Sequence, residues 1–109
     1  MPELDAASDQ DPALATRTEG RTLILRLTGE LDLTSTDRIL SDIDAVLDGE
    51  HDDIAFDLSG LNFMDSSGIA LLLSVSRRVG GNLELRDPTP IIRRLIELTG
   101  LESVLRLVP

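Results

Sequence analysis

Asp65-Ser66-Ser67-Gly68 sets a carboxylate and two hydroxyls side by side, just ahead of a stretch in which Ile69, Leu72, Leu73, Ser76 and Val79 keep helical spacing. A loop entering a helix leaves backbone N–H groups without intrahelical partners, and Asp and Ser are side chains that cap them. One cap is enough, so another hydroxyl is free to project. A phosphate placed there would be favoured by the helix N-terminus and opposed by the carboxylates beside it. Modification adds roughly -1.5 to -2 charge at one spot. From these four residues alone the turn reads either as a plain N-cap or as a chemical switch.

A serine at a strand-to-helix turn is also where serine hydrolases carry their nucleophile. The G-x-S-x-G frame is absent here, because Met64 precedes Asp65-Ser66 and Asp65 stands two before Ser67. The single histidine, His51, comes before a strand expected at Ile54–Leu58, and a strand of ~17–20 Å separates it from a serine beyond the other end. No lysine is present to replace it as a base. No catalytic residues are therefore expected.

The acidic groups Asp52-Asp53 and Asp42, Asp44, Asp48 carry the oxygen donors that hard cations take. No Asp-x-Asp-x-Asp-Gly loop with a distal Glu is present, and Asp44 and Asp48 read as the solvated side of an amphipathic helix. Neither a metal nor a cofactor is expected. Gly80-Gly81 follows a helix and precedes a strand, the reverse of the order in nucleotide-binding glycine loops. Arg77-Arg78 and Arg93-Arg94 are expected near helix C-termini, where they offset the macrodipole.

The elements that must position Ser67 alternate along the chain. Residues 1–13 are acidic and without period, and read as a mobile tail; residues 14–109 form the domain. A short strand from Leu14 to Arg17, a turn at Glu19-Gly20 and an alternating strand over Thr22–Leu27 predict a hairpin. Thr34 with Asp37 matches a capping box, followed by a helix with Ile39, Leu40, Ile43, Val46 and Leu47 on one stripe and Gly49 as its end. Ile54–Leu58 is a core strand broken by Ser59-Gly60. Asn82–Arg86 is another strand. Thr89 caps a helix with Pro90 at its first position, and Ile91, Ile92, Leu95, Ile96 and Leu98 form its buried stripe up to Gly100. Val104–Val108 is a last short strand. The class is α/β: a single mixed sheet with helices packed mainly on one face.

Composition narrows the function classes. The 109 residues carry 20 acidic and 10 basic side chains, a formal charge of -10, and all the basic ones are arginine. Binding nucleic acid directly requires clustered positive charge, which this chain lacks. Hydrophobic residues make up 41%, enough for a single-domain core despite the scarcity of aromatics. The absence of cysteine fits a reduced compartment. No apolar stretch approaches the ~20 residues of a membrane span, and no apolar run follows a basic start, so a soluble cytoplasmic protein is expected.

Gly29-Glu30-Leu31-Asp32, Phe63-Met64-Asp65-Ser66-Ser67-Gly68-Ile69 and Pro90-x-x-x-x-Leu95 running to Leu98-Thr99-Gly100-Leu101 together resemble a STAS domain, specifically a bacterial anti-sigma factor antagonist. The resemblance implies the STAS fold and a partner-switching protein that is not an enzyme. The unmodified antagonist binds an anti-sigma factor, a serine kinase of the histidine-kinase-like ATPase fold, and so frees a sigma factor. Phosphorylation releases the kinase, and a serine phosphatase restores the antagonist. By resemblance the modified serine is Ser67, Asp32 is the loop aspartate close to it, and Asp65, Ser66 and Gly68 form its shell. Any acceptance of the serine proton falls to the kinase. The different reading left standing is a non-switching STAS scaffold or adaptor subunit of a regulatory or lipid-transport complex, in which the serines only cap a helix.

Overall fold

The computed structural model describes residues 11–47, 49, 51, 53–81 and 83–108. Along the chain run β1 (Ala13–Glu19), β2 (Thr22–Leu31), α1 (Thr36–Val46), β3 (Asp53–Met64), α2 (Ser66–Arg78), β4 (Leu83–Arg86), α3 (Pro90–Thr99), a one-turn 3-10 helix (Leu101–Ser103) and β5 (Arg106–Val108). The five strands form one sheet in the order β1-β2-β3-β4-β5, with β1 antiparallel to β2 and every other pair parallel. Each parallel step carries one helix and advances the sheet in the same direction. Crossovers that all advance in one direction with the usual right hand put their helices on one face. The expected mixed sheet with helices on one face is the architecture found. Of the expected tail, residues 1–10 lie outside the described residues, and Ala13 opens β1.

One core follows from this. Leu23, Leu25, Leu27, Ile54, Phe56, Leu58, Leu83 and Leu85 alternate along their strands and meet Ile39 and Ile43 of α1, Leu72 and Val75 of α2, and Ile92 and Ile96 of α3. The opposite face has Ile24 and Ala55 buried at its centre and charged residues around them. A register row crosses it from Arg17 through Ile24 and Ala55 to Glu84 and Arg106. Arg17 pairs with Glu19 and Asp57, Arg86 with Glu19 and Glu84, and Arg106 with Glu84, so charged side chains cover the face that no helix protects.

Several expectations need correction. Ser59-Gly60 deforms β3 without ending it: the Ser59 N–H and hydroxyl fold back onto Asp57 Oδ1 at 3.0 and 2.7 Å, and pairing with β2 resumes at Thr28↔Gly60. A second register shift follows at Gly29, whose φ of 85° suits glycine. These irregularities let β2 reach Leu31 and β3 reach Met64, well past the expected ends at Leu27 and Leu58. Thr34 is not the cap of α1, because its hydroxyl bonds to Asp32; Ser35 holds the N-cap position without capping the helix by its side chain. The helix gives way at Leu47, before Gly49. In α2 the buried positions are Gly68, Leu71, Leu72, Val75 and Ser76, with Ile69, Leu73 and Val79 at the margin, so the stripe is rotated from the expected one. In α3 Thr89 caps as expected, accepting from the Ile92 N–H, but Ile91 and Leu98 are exposed. Arg77-Arg78 occupy the last turn of α2, whereas Arg93-Arg94 lie in mid-helix in α3.

Candidate functional site

β2 and β3 are neighbouring parallel strands that end level, Leu31 against Met64, and each continues into an aspartate. The C-terminal ends of parallel strands are where α/β sheets present their binding groups. The Asp65 N–H donates to the Leu31 carbonyl at 3.1 Å, which locks the turn after β3 onto the end of β2. Asp32 and Asp65, separated by 33 positions in sequence, are thereby placed side by side.

Each aspartate folds the next two residues around its carboxylate. Asp65 Oδ1 accepts from the Ser67 N–H at 2.9 Å and from the Ser67 hydroxyl at 2.5 Å. Asp32 Oδ1 accepts from the Thr34 N–H at 3.0 Å and from the Thr34 hydroxyl at 2.6 Å, and the Ser35 hydroxyl lies 3.2 Å from the same oxygen. The Ser67 hydroxyl bond, with the N–H groups of Ser67, Gly68 and Leu33, holds the Asp65 carboxyl below its ordinary pKa against a smaller desolvation effect. The Thr34 hydroxyl bond does the same for Asp32, while the Asp65 charge pushes Asp32 the other way. Two carboxylates, each held toward its ionised form, thus stand at adjoining strand ends, close enough for the Asp65 charge to act on Asp32.

Asp65 is the N-cap of α2, and its main-chain carbonyl also accepts from Gly68 and Ile69 at 3.0 and 3.3 Å. The N–H groups of Ser67, Gly68 and Ile69 are therefore already committed. A phosphate on Ser67 would meet the positive end of the macrodipole without vacant Ser67, Gly68 or Ile69 donors, and would replace the hydroxyl proton shared with Asp65 by like charge. Asp65 itself is a poor base for that proton, since its hydrogen bonds favour the ionised form.

Gly68 is buried, and a Cβ there would stand 2.6 Å from Met64 Cβ and 3.3 Å from Leu31 Cβ. Glycine lets the first turn of α2 rest directly on the two strand ends. The two serines diverge. Ser67 opens on a groove of about 390 Å³ between α1 and α2, with Leu33, Leu40, Ala70 and Arg77 in its walls. The exposed Ser66 opens on a separate apolar groove between the end of β3 and α3.

Sequence reasoning identified Asp32, Asp65, Ser66, Ser67 and Gly68, and the structure brings all five to one end of the sheet. It missed Thr34 and Ser35, which orient the Asp32 carboxylate; the repeated Asp-x-Ser/Thr spacing at Asp32-Leu33-Thr34 and Asp65-Ser66-Ser67 was the available signal. His51 sits at the start of β3 with its ring 3.4 Å from the Thr18 hydroxyl. Ser67 follows the far end of a strand that spans Asp53–Met64, a separation of about 35 Å at ~3.3 Å per residue. Among the described residues no three His, Cys, Asp or Glu side chains converge as metal ligands.

Fold and site define a small α/β domain that presents a capped serine at the C-terminal edge of a mixed sheet. The model of the STAS domain matches residues 13–109, and the chain belongs to that family. It is 38% identical over 84 residues to the anti-sigma F factor antagonist of Lysinibacillus sphaericus, covering 73% of this chain and 72% of that protein. Among solved structures it resembles the anti-sigma factor antagonist SpoIIAA in its unphosphorylated form, with a TM-score of 0.73 and 28% identity over 89% of each chain. The Bacillus SpoIIAA in the phosphorylated form matches with a TM-score of 0.65 and 30% identity over 89% of this chain and 92% of that one. An anti-sigma factor antagonist from Mycobacterium paratuberculosis shares the fold at a TM-score of 0.83 and 24% identity, over 92% of this chain and 87% of that chain.

Proposed function

We propose that this chain is an anti-sigma factor antagonist that binds an anti-sigma serine kinase in its unmodified form and releases it when Ser67 is phosphorylated. The observation that carries the reading is the Ser67 hydroxyl held by Asp65 at the start of α2, with the Asp32 carboxylate on the adjoining strand end. Similarity to antagonists, one of them solved in a phosphorylated form, supports it. In this reading the chain is a substrate and ligand of a cytoplasmic kinase of the histidine-kinase-like ATPase fold, and a serine phosphatase reverses the modification. Its charge of -10 suits control of transcription through another protein and not through DNA.

The switch is electrostatic and steric together. A partner covering this turn buries Asp65 and Asp32 against groups chosen for two carboxylates and a neutral hydroxyl. A dianionic phosphate adds repulsion and an uncompensated desolvation cost at the centre of that contact. The test is to incubate the protein with ATP and each ATPase-fold kinase of its genome and to locate the phosphate by mass spectrometry. Modification at Ser67 by a kinase that binds the unmodified form is the expected result; modification confined to other residues contradicts it.

One observation favours a scaffold reading. Asp57 and Ser59 make the same side-chain and backbone bonds inside β3, remote from any helix start, so this geometry also serves as a plain turn. A scaffold in which Ser67 only supports the cap binds its partner equally well as Ser67→Ala and as Ser67→Asp.

A further inference from the structure

Helix α3 carries two apolar stripes, and only one of them is used by the core. Ile92 and Ile96 are fully buried, whereas Ile91 and Leu98 are 47% and 66% exposed and Leu95 is half-buried between them. Ile91, Leu95 and Leu98 follow i, i+4, i+7 spacing and form one continuous ridge. Leu95 also walls the apolar groove of about 320 Å³ beside Ser66, facing Phe63 and Ile69, with Asp65, Ser66 and Thr99 at its rim. Phe63 is itself 39% exposed. Exposed apolar side chains scattered singly mean little, but here the exposed Phe63 and the half-buried Leu95 line one concavity, and Leu95 continues into the ridge that carries the exposed Ile91 and Leu98.

We infer that this groove is the anchor site for an amphipathic segment of the anti-sigma kinase, which seats an apolar side chain between Phe63, Ile69 and Leu95 and sets a basic side chain over Asp65. The inference rests on the proposed function and says which part of the partner the switch controls. Two observations choose this occupant. Among the described residues Asp65 is the sole charged one lining the groove, so the rim calls for a cation next to an apolar anchor. A second copy of the chain would bring its own charge of -10 against an acidic rim, whereas a basic partner gains from it. Because Asp65 both rims the groove and holds Ser67, a phosphate on Ser67 alters the charge that the anchored segment reads. The groove thus supplies affinity and the serine turn supplies control.

The experiment uses the kinase that phosphorylates Ser67 and compares wild type, Ser67→Asp, Phe63→Gln, Leu95→Gln and the double variant Phe63→Gln/Leu95→Gln, both residues lining the groove, by titration calorimetry. Phe63 is exposed and Leu95 half-buried, and thermal melting confirms that each variant is folded. Loss of apolar anchors at the centre of an interface weakens binding by about tenfold or more, which is the effect expected for the double variant with Ser67→Asp also impaired. If the double variant binds within about twofold of wild type while Ser67→Asp does not bind, the anchor site is wrong and the switch stands. If wild type binds no such kinase, the proposed function fails and takes the anchor site with it. A wild-type dimer in sedimentation that the double variant dissolves assigns the groove to a second copy and also overturns the inference.

Discussion

The Ser67 hydroxyl donates to Asp65 Oδ1 at 2.5 Å, and the backbone N–H of the same serine donates to the same oxygen at 2.9 Å. A single carboxylate oxygen therefore caps α2 and holds the side chain proposed as the phosphorylation site. Phosphorylation removes the donor and leaves the acceptor facing new negative charge. Cap and switch, which the residue types alone present as alternatives, share one atom.

Asp65→Asn separates those two roles. Asparagine retains an oxygen that can accept from Ser67 and is as good an N-cap, but it carries no charge. The variant is expected to melt close to wild type while phosphorylation discriminates less between bound and free states. Calorimetry of the phosphorylated and unmodified variant against the kinase checks this: the ratio of their dissociation constants falls by about tenfold relative to wild type, in line with the removal of one close like charge.

Asp32 is exposed, so the part proposed for it in kinase binding rests on charge more than packing. Asp32→Asn should slow association with the kinase at low salt, with the difference shrinking above ~0.15 M as screening shortens the Debye length to about 8 Å. Stopped-flow association rates across a salt series measure this. An equal effect at every ionic strength would point instead to a direct contact.

Gly68→Ala tests the seating of α2. The added Cβ would meet Met64 Cβ at 2.6 Å, and both lie in the packed junction of strand ends and helix. Overpacking of this kind costs about 1–3 kcal/mol. Urea denaturation should show that loss as a lower midpoint at unchanged slope, and binding to the kinase should weaken because the turn shifts.

Acid weakens the fold through the same carboxylates. Hydrogen bonds from Ser67, Thr34 and Arg106, respectively, lower the pKa values of Asp65, Asp32 and Glu84 in the folded chain. Groups depressed on folding contribute stability that is complete above their unfolded values, about 3.9 for Asp and 4.3 for Glu, and is lost as pH falls through the folded values. Stability measured by urea titration should stay level with respect to these groups down to about pH 5 and decline below it, and Asp65→Asn should flatten that decline.

The serine turn was legible because its residue types do unusual things together: three polar residues before an apolar helical stretch exceed what a cap needs. The strand ends were not. Ser59-Gly60 read as a break and the preceding alternation stopped at Leu27, yet pairing between β2 and β3 absorbs the irregularities at Ser59-Gly60 and Gly29 as bulges, a gain that only a neighbouring strand supplies. Thr34 reads as a cap because local spacing cannot show that Asp32 claims its hydroxyl. Ile91 and Leu98 read as core because hydropathy marks an apolar stripe without saying whether anything covers it. Both lie on the ridge of α3 that includes Leu95, which walls the proposed anchor groove.

The central claim is that one phosphate on Ser67 decides whether the partner stays bound. The most direct measurement is the affinity of the purified anti-sigma kinase for the unmodified protein and for the protein phosphorylated at Ser67, compared in one buffer by calorimetry. The account predicts that phosphorylation weakens binding by about 100-fold or more, the scale of placing an unpaired charge in a buried contact, whereas dissociation constants within about twofold of each other would contradict it.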